Sequence, residues 1–261
     1  VTPDSFSDGG KFADPELAAN QARRLVEQGA DILDIGGEST RPFSEPVSVD
    51  EELDRVIPAI RAIREVTDIP ISIDTTKAQV AARALEAGAD IINDVSGLRF
   101  DPEMADVAVS NGVPVVIMHM RGSPRDMQVS PHYDDVVEEV RSFLADRMEW
   151  AVGRGIPENH LIIDPGIGFG KTFEDNLKLI KNLDKIASLC VPVLLGASRK
   201  AFLGAITGLE NPEERDVATL GAVAYGVIKG AHIVRVHNVG LARDVLKVVD
   251  AIDREEIPCS E

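Results

Sequence analysis

Two hydrophobic patterns alternate along this chain, and their alternation predicts its architecture. The first is a helical stripe. Ala18, Ala22, Leu25 and Val26 recur at helical spacing behind Asp14-Pro15, which reads as an N-cap followed by a first helical residue. Val136, Val137, Val140, Phe143, Leu144 and Met148 form another stripe of the same period. The second pattern is a short run that is apolar nearly throughout. Three such runs open on glycine after a helical stretch: GADILDIGG from Gly29, GADIINDVSG from Gly88 and GAHIVRVHNVG from Gly230. Glycine there suits a left-handed C-cap, and the run behind it predicts a strand. Three more are entered through proline: IPISID from Ile69, VPVVIMH from Val113 and VPVLLGAS from Val191. Proline's missing N–H costs little at a strand entry. LIIDPG from Leu161 is the seventh run.

Strands this apolar are covered on both faces, and regular strand–helix alternation means a parallel sheet. No linker or low-complexity segment interrupts it, so residues 1–261 read as one domain. The fold class is α/β, a (β/α)8 TIM barrel. Seven strands are legible where a closed barrel has eight. The opening stretch, VTPDSFSDGG, has the residues of a loop. It reads as the segment leaving strand one, which would lie upstream of Val1. The competing fold, an open doubly wound sheet, would prefer a glycine-rich phosphate loop near its start, and the sequence has none.

Charge and cysteine content narrow the function. A net charge of −17 disfavours nucleic acid and anionic membranes as partners. Cys190 and Cys259 are far apart and form no CxxC, which fits a reducing, cytoplasmic setting and no structural zinc. No apolar run approaches membrane-spanning length.

Candidate chemistry sits where a barrel puts it, at the C-terminal ends of the strands. Those ends carry Asp34, Asp74, Asn93-Asp94, Met118-His119, Asp164, Ser198-Arg199-Lys200, and Arg235 with His237. Asp74, Asn93 and Asp164 suit a flat heterocycle with an amidine-like edge, because a carboxylate accepts two parallel N–H bonds and Asn adds a donor and an acceptor. Lys200 could meet a ring oxygen or nitrogen. Taken singly, Asp74 and Asn93 could instead cap the following helices. Arg235 and His237 share a strand face, and with Arg41, Arg199 and Lys200 they form a basic cluster that predicts an anion site, phosphate first. The alternative is a set of surface salt bridges. His119 reads first as a satisfied core residue and second as a base. Glu38 reads as a loop-ordering group. DPGIGFGK does not match the GxGxxG dinucleotide pattern, and its Phe169 is either a stacking face or a packed loop residue.

Taken in order, VTPDSFSDGG, DIGGESTRP, SIDT, IIND, DPGIGFGK, SRKAFLG and RVHNV resemble the dihydropteroate synthase family, the pterin-binding barrels, from Val1 to about Asn238. The resemblance implies a (β/α)8 barrel, usually a homodimer. It implies a transferase that joins 6-hydroxymethyl-7,8-dihydropterin diphosphate to para-aminobenzoate in folate synthesis, with sulfonamides competing for the aminobenzoate position. Carried over, Asp74, Asn93, Met118, Asp164, Lys200 and Arg235 would hold the pterin. Arg41, Arg235 and His237 would hold the diphosphate. Phe6, Thr40, Pro42, Phe169 and Ser198 would shape the aminobenzoate side. Asp8, Arg41, Lys200, Arg235 and His237 would be the catalytic set. Mg2+ is the implied cofactor, and the family's Asn ligand would precede Val1. In the second loop Phe43 stands where the family commonly has Gly.

Two other readings share the pterin-holding barrel. A methyltetrahydrofolate–corrinoid methyltransferase has no need of the Arg235/His237 pair or the SRK segment. A non-catalytic pterin-binding paralogue has no need to retain Asp8, Arg41, Lys200 and His237. A metal-dependent barrel hydrolase would need histidine ligand spacing that the remaining histidines lack.

Overall fold

The structure, a computed structural model, describes residues 14–40 and 44–256. Helices and strands alternate as the hydrophobic pattern predicts. They run α1 (Pro15–Glu27), β1 (Leu33–Gly36), α2 (Val49–Arg64), β2 (Ile71–Asp74), α3 (Ala78–Glu86), β3 (Ile91–Asp94), α4 (Met104–Asn111), β4 (Val115–Met118) and α5 (Val136–Gly153). They continue with β5 (Leu161–Asp164), α6 (Phe173–Lys181), α7 (Leu183–Ala187), β6 (Leu194–Leu195), α8 (Ala201–Thr207), α9 (Asp216–Ile228), β7 (Ile233–Val234) and α10 (Val239–Arg254).

Local chemistry sets the boundaries. The Asp14 side chain accepts the Glu16 N–H at 2.9 Å, with Pro15 at the first helical position. Gly29, Gly88 and Gly230 all hold positive φ, between 91° and 116°, and turn the chain from helix into strand.

All the strand pairs are parallel. β1 to β5 form one sheet in chain order, β6 pairs with β7, and a single parallel bridge from Ile163 to Val193 joins the two groups. The strand order never reverses, which excludes the doubly wound alternative. The helices follow suit: α1 packs on α2, α2 on α3, α3 on α4, and α9 on α10. Arg235, directly after β7, reaches Asp34 on β1 through an ion pair, so the wall curves round on itself as a barrel does. The eighth strand has no counterpart among the described residues. No described helix is long and apolar enough to cross a membrane.

Strand periodicity divides the apolar residues into two layers. Leu33, Ile35, Ile71, Ile73, Ile92, Ile117, Ile163 and Leu195 join the main core between strands and helices. Ile91, Val116 and Leu194, with Ile32, Ile162 and Ile233 packed on them, form a separate cluster of the opposite phase, inside the barrel.

Candidate active site

The interior phase carries the site. Two residues beyond Ile32, Ile91, Val116, Ile162 and Ile233, in the same alternation along or just flanking the strands, stand Asp34, Asn93, Met118, Asp164 and Arg235. The register sets Asp74 directly beside Asn93 and Met118 beside Asp164. An apolar floor is thus topped by a polar layer. Gly196 borders this layer: a Cβ built there would stand 3.9 Å from the Asp164 carboxylate.

Arg235 is the electrostatic centre. Its Nε donates to Asp34 Oδ2 at 2.7 Å, and its Nη2 lies 3.5 Å from Asp74 Oδ2. Asn93 Nδ2 donates to Asp34 Oδ1 at 3.2 Å. Burial pushes the Asp34 carboxyl up, but the charge and hydrogen bond of Arg235 outweigh it and hold Asp34 below the usual carboxylate range. Asp74 has the opposite balance: burial, then the neighbouring Asp34 charge, push it up to about 7. Its Oδ1 is buried and has no hydrogen-bond partner among the described residues, an acceptor left for a ligand's N–H. Asp164 accepts the Gly166 N–H at 2.7 Å, and burial raises it to about 6. Burial and then the Arg235 charge bring Lys200 down to about 8.

The β5 loop forms one wall. Gly166 has φ +68°, and a Cβ there would overlap the His119 carbonyl oxygen, so only glycine lets this loop lie against the end of β4. Phe169 packs on the cluster of Val95, Met118, Met120 and Met127, and Lys200 Nζ stands 4.2 Å from its ring centroid. Ser198 Oγ and His237 Nδ1 are 2.8 Å apart. Burial first, then Arg199 and Arg235, pull His237 down to about 4.

Most residues singled out in the sequence therefore meet at one end of the barrel, and some do not. Arg199 leaves the basic cluster: its φ is +58°, and its guanidinium pairs with Asp216 through bonds of 2.7 and 3.1 Å. Neither Asp74 nor Asn93 caps a helix. The α3 N-terminus takes Asp101 instead, which accepts the Ala78 N–H at 2.8 Å. Glu38 orders its loop by pairing with Lys77. His119 is a satisfied core residue, 6% exposed and pulled down to about 2, chiefly by burial and then by the Lys171 charge. Thr40 is half-buried in the second loop. Phe6, Asp8, Arg41, Pro42 and Phe43 lie outside the described residues. The sequence reading gave Asp34 no role and passed over Lys171, which is 2% exposed, bonded to His119 Nδ1 at 2.9 Å, and brought by burial to about 7.

Comparison with known proteins agrees with this geometry. Residues 1–237 match the family described as pterin binding enzyme. The dihydropteroate synthase of Synechocystis sp. is 47% identical over 254 residues, which cover 97% of this chain and 88% of that one. The chain belongs to the dihydropteroate synthase family of pterin binding enzymes. Among solved structures of that family, Xanthomonas albilineans dihydropteroate synthase with 4-aminobenzoic acid superposes with a TM-score of 0.90 at 48% identity, covering 97% of this chain and 90% of that one. The Yersinia pestis dihydropteroate synthase with a sulfonamide drug complex gives 0.92 at 39% identity, covering 97% and 92%.

Proposed function

We propose that this chain condenses 6-hydroxymethyl-7,8-dihydropterin diphosphate with para-aminobenzoate, giving 7,8-dihydropteroate and diphosphate. The observation that carries the reading is the polar layer over the barrel's apolar floor, in which buried carboxylates surround a cation. Asp164 and Asp74 accept the pterin's N–H groups, Asn93 adds an amide, and Met118 packs against the ring. Arg235, Lys200 and His237 face the charge that develops on the leaving group. The carbon–oxygen bond to diphosphate breaks with its electron pair leaving on oxygen. The amine nitrogen of aminobenzoate forms the new bond to that carbon and gives up a proton. The electron-rich pterin shares the positive charge in between, so the protein needs no nucleophile. Its work is positioning and charge stabilisation. Thr40, Phe169 and Ser198 frame the aminobenzoate end, and the family resemblance assigns Phe6 and Pro42 to the same end and Asp8 and Arg41 to the catalytic set.

The rival readings differ in what they ask of this layer and in what they release. A corrinoid methyltransferase would leave the arrangement of Arg235, Lys200 and His237 without an anion to hold. A non-catalytic paralogue would bind pterin but release no diphosphate.

Magnesium belongs to the proposal as a companion of the diphosphate. No three His, Cys, Asp or Glu side chains gather into a metal cage among the described residues. Mg2+ is commonly held by substrate phosphates and one or two carboxylates with its own waters, and a mouth dominated by Arg235 and Lys200 fits a cation arriving with its anion. Bound there, it would neutralise diphosphate charge. Removing it should weaken the pterin diphosphate and leave the pterin alcohol unaffected in calorimetry. The homodimer is supported by an apolar outer face: Val217, Tyr225 and Ile228 on α9 and Leu241, Val248 and Ile252 on the adjoining α10 are exposed. Light scattering would test it. A cytoplasmic setting is supported by the exposed, unpaired Cys190.

The function is tested by mixing the chain with both substrates and Mg2+ and identifying the product by mass. Dihydropteroate formation, inhibited by a sulfonamide in competition with aminobenzoate, is expected. Turnover of pterin diphosphate with another acceptor, or none, would overturn the reading.

A further inference from the structure

We infer that Lys171 is a positioning residue for the aminobenzoate end of the site: its Nζ ties the end of β4 to the glycine loop after β5 and thereby fixes where Phe169 stands. The inference rests on the assignment of Phe169 to that end.

Lys171 is buried; the charges of Asp164 and Asp175 act on it from a distance, but the groups its Nζ bonds among the described residues are a ring nitrogen and carbonyls, not carboxylates. A buried amine without a carboxylate partner is costly unless its donors are all used. Here they are: Nζ reaches His119 Nδ1 at 2.9 Å, the Phe169 carbonyl at 2.9 Å and the His119 carbonyl at 3.4 Å. The two short bonds need only two N–H groups, so the tie holds for amine and ammonium alike. The His119 ring is itself wedged edge-on against Phe143, with centroids 4.8 Å apart.

The tie is one of three on consecutive carbonyls. Gln128 Nε2 donates to the Gly168 carbonyl at 2.6 Å, Lys171 to that of Phe169, and Tyr133 Oη to that of Gly170 at 2.7 Å. Gln128 and Tyr133 both come from the β4–α5 connection, so the loop is bound along its length to the neighbouring one. Of the three residues whose carbonyls are held, only Phe169 has a side chain. It presents that ring to Lys200 and rests on the Met118 cluster. A loop that only joined β5 to α6 would have no need to hold this one ring by a buried amine.

The test uses Lys171→Met, an apolar near-isostere, and Tyr133→Phe, which cuts the adjacent tie at a partly exposed residue. Each is assayed with either substrate varied, and pterin binding is measured separately by calorimetry. Lys171→Met should raise KM for aminobenzoate about tenfold or more, as displacement of a positioning group does, with a much smaller change in pterin affinity. Tyr133→Phe should act in the same direction by a smaller factor, and it decides alone if Lys171→Met fails to fold. Equal losses for both substrates, or unchanged kinetics, would overturn the inference. Wild-type protein that forms no dihydropteroate would overturn the functional reading instead.

Discussion

Arg235, just past the end of the last described strand, and Asp34 on the first are joined by a 2.7 Å hydrogen bond across the barrel mouth, although they lie 201 positions apart in the chain. The same guanidinium lies 3.5 Å from Asp74. The guanidinium holds Asp34 low, whereas at Asp74 burial and the Asp34 charge outweigh it and push the carboxyl up to about 7.

Replacing Arg235 with Ala should separate the two halves of the substrate. Hydrogen bonds to charged groups contribute about 1.5–3 kcal/mol, so affinity for pterin diphosphate should fall roughly tenfold to a hundredfold. The pterin alcohol, which carries no phosphate, should lose much less. Calorimetry with both ligands decides it, and equal losses would remove Arg235 from the diphosphate site.

The raised carboxyls give opposite pH dependences for stability and binding. Asp74 and Asp164 shift from 3.8 to about 7 and about 6 on folding, so the folded chain takes up their protons more readily than the unfolded one. Their stabilising contribution is full at low pH and is lost as pH rises through about 6 and then about 7. Ligand binding needs the ionised acceptors. Pterin affinity should therefore increase between about pH 5 and about pH 8 while these two groups make the ligand-free chain less stable. Asp34, held low, stays ionised throughout this window. Calorimetry across it, with thermal unfolding of the wild type and of Asp74→Asn, would show both trends.

Gly166→Ala should destabilise the chain. The residue is at φ +68°, and its added methyl would overlap the His119 carbonyl. A side chain in left-handed backbone costs about 1–2 kcal/mol before any overlap is counted. A thermal melt should show a clear fall in Tm, and pterin affinity should fall with it, because the displaced Gly166 N–H is the one that Asp164 accepts.

Much of this was legible in the sequence because strand periodicity is local. Ile32 and Asp34, or Ile162 and Asp164, stand two apart, so an apolar floor and a polar rim can be read off each strand separately. What was not legible depends on distant partners or on one dihedral angle. Asp34 gains its role from Arg235. Lys171 looks like any lysine leading into a helix until β4 is seen to bury it. Arg199 sits beside Lys200 in the chain, but a positive φ turns it to Asp216. The capping alternative for Asp74 failed because helix α3 begins four residues beyond it and takes Asp101 from another segment.

The central claim is that the pterin ring sits in the polar layer above the barrel floor. Asp164→Asn tests it most directly, since the amide keeps an oxygen for the Gly166 N–H while losing the charge and one acceptor. Calorimetric titration of the pterin alcohol should show binding weakened by about 1–3 kcal/mol relative to wild type. Unchanged affinity in a folded variant would contradict the account.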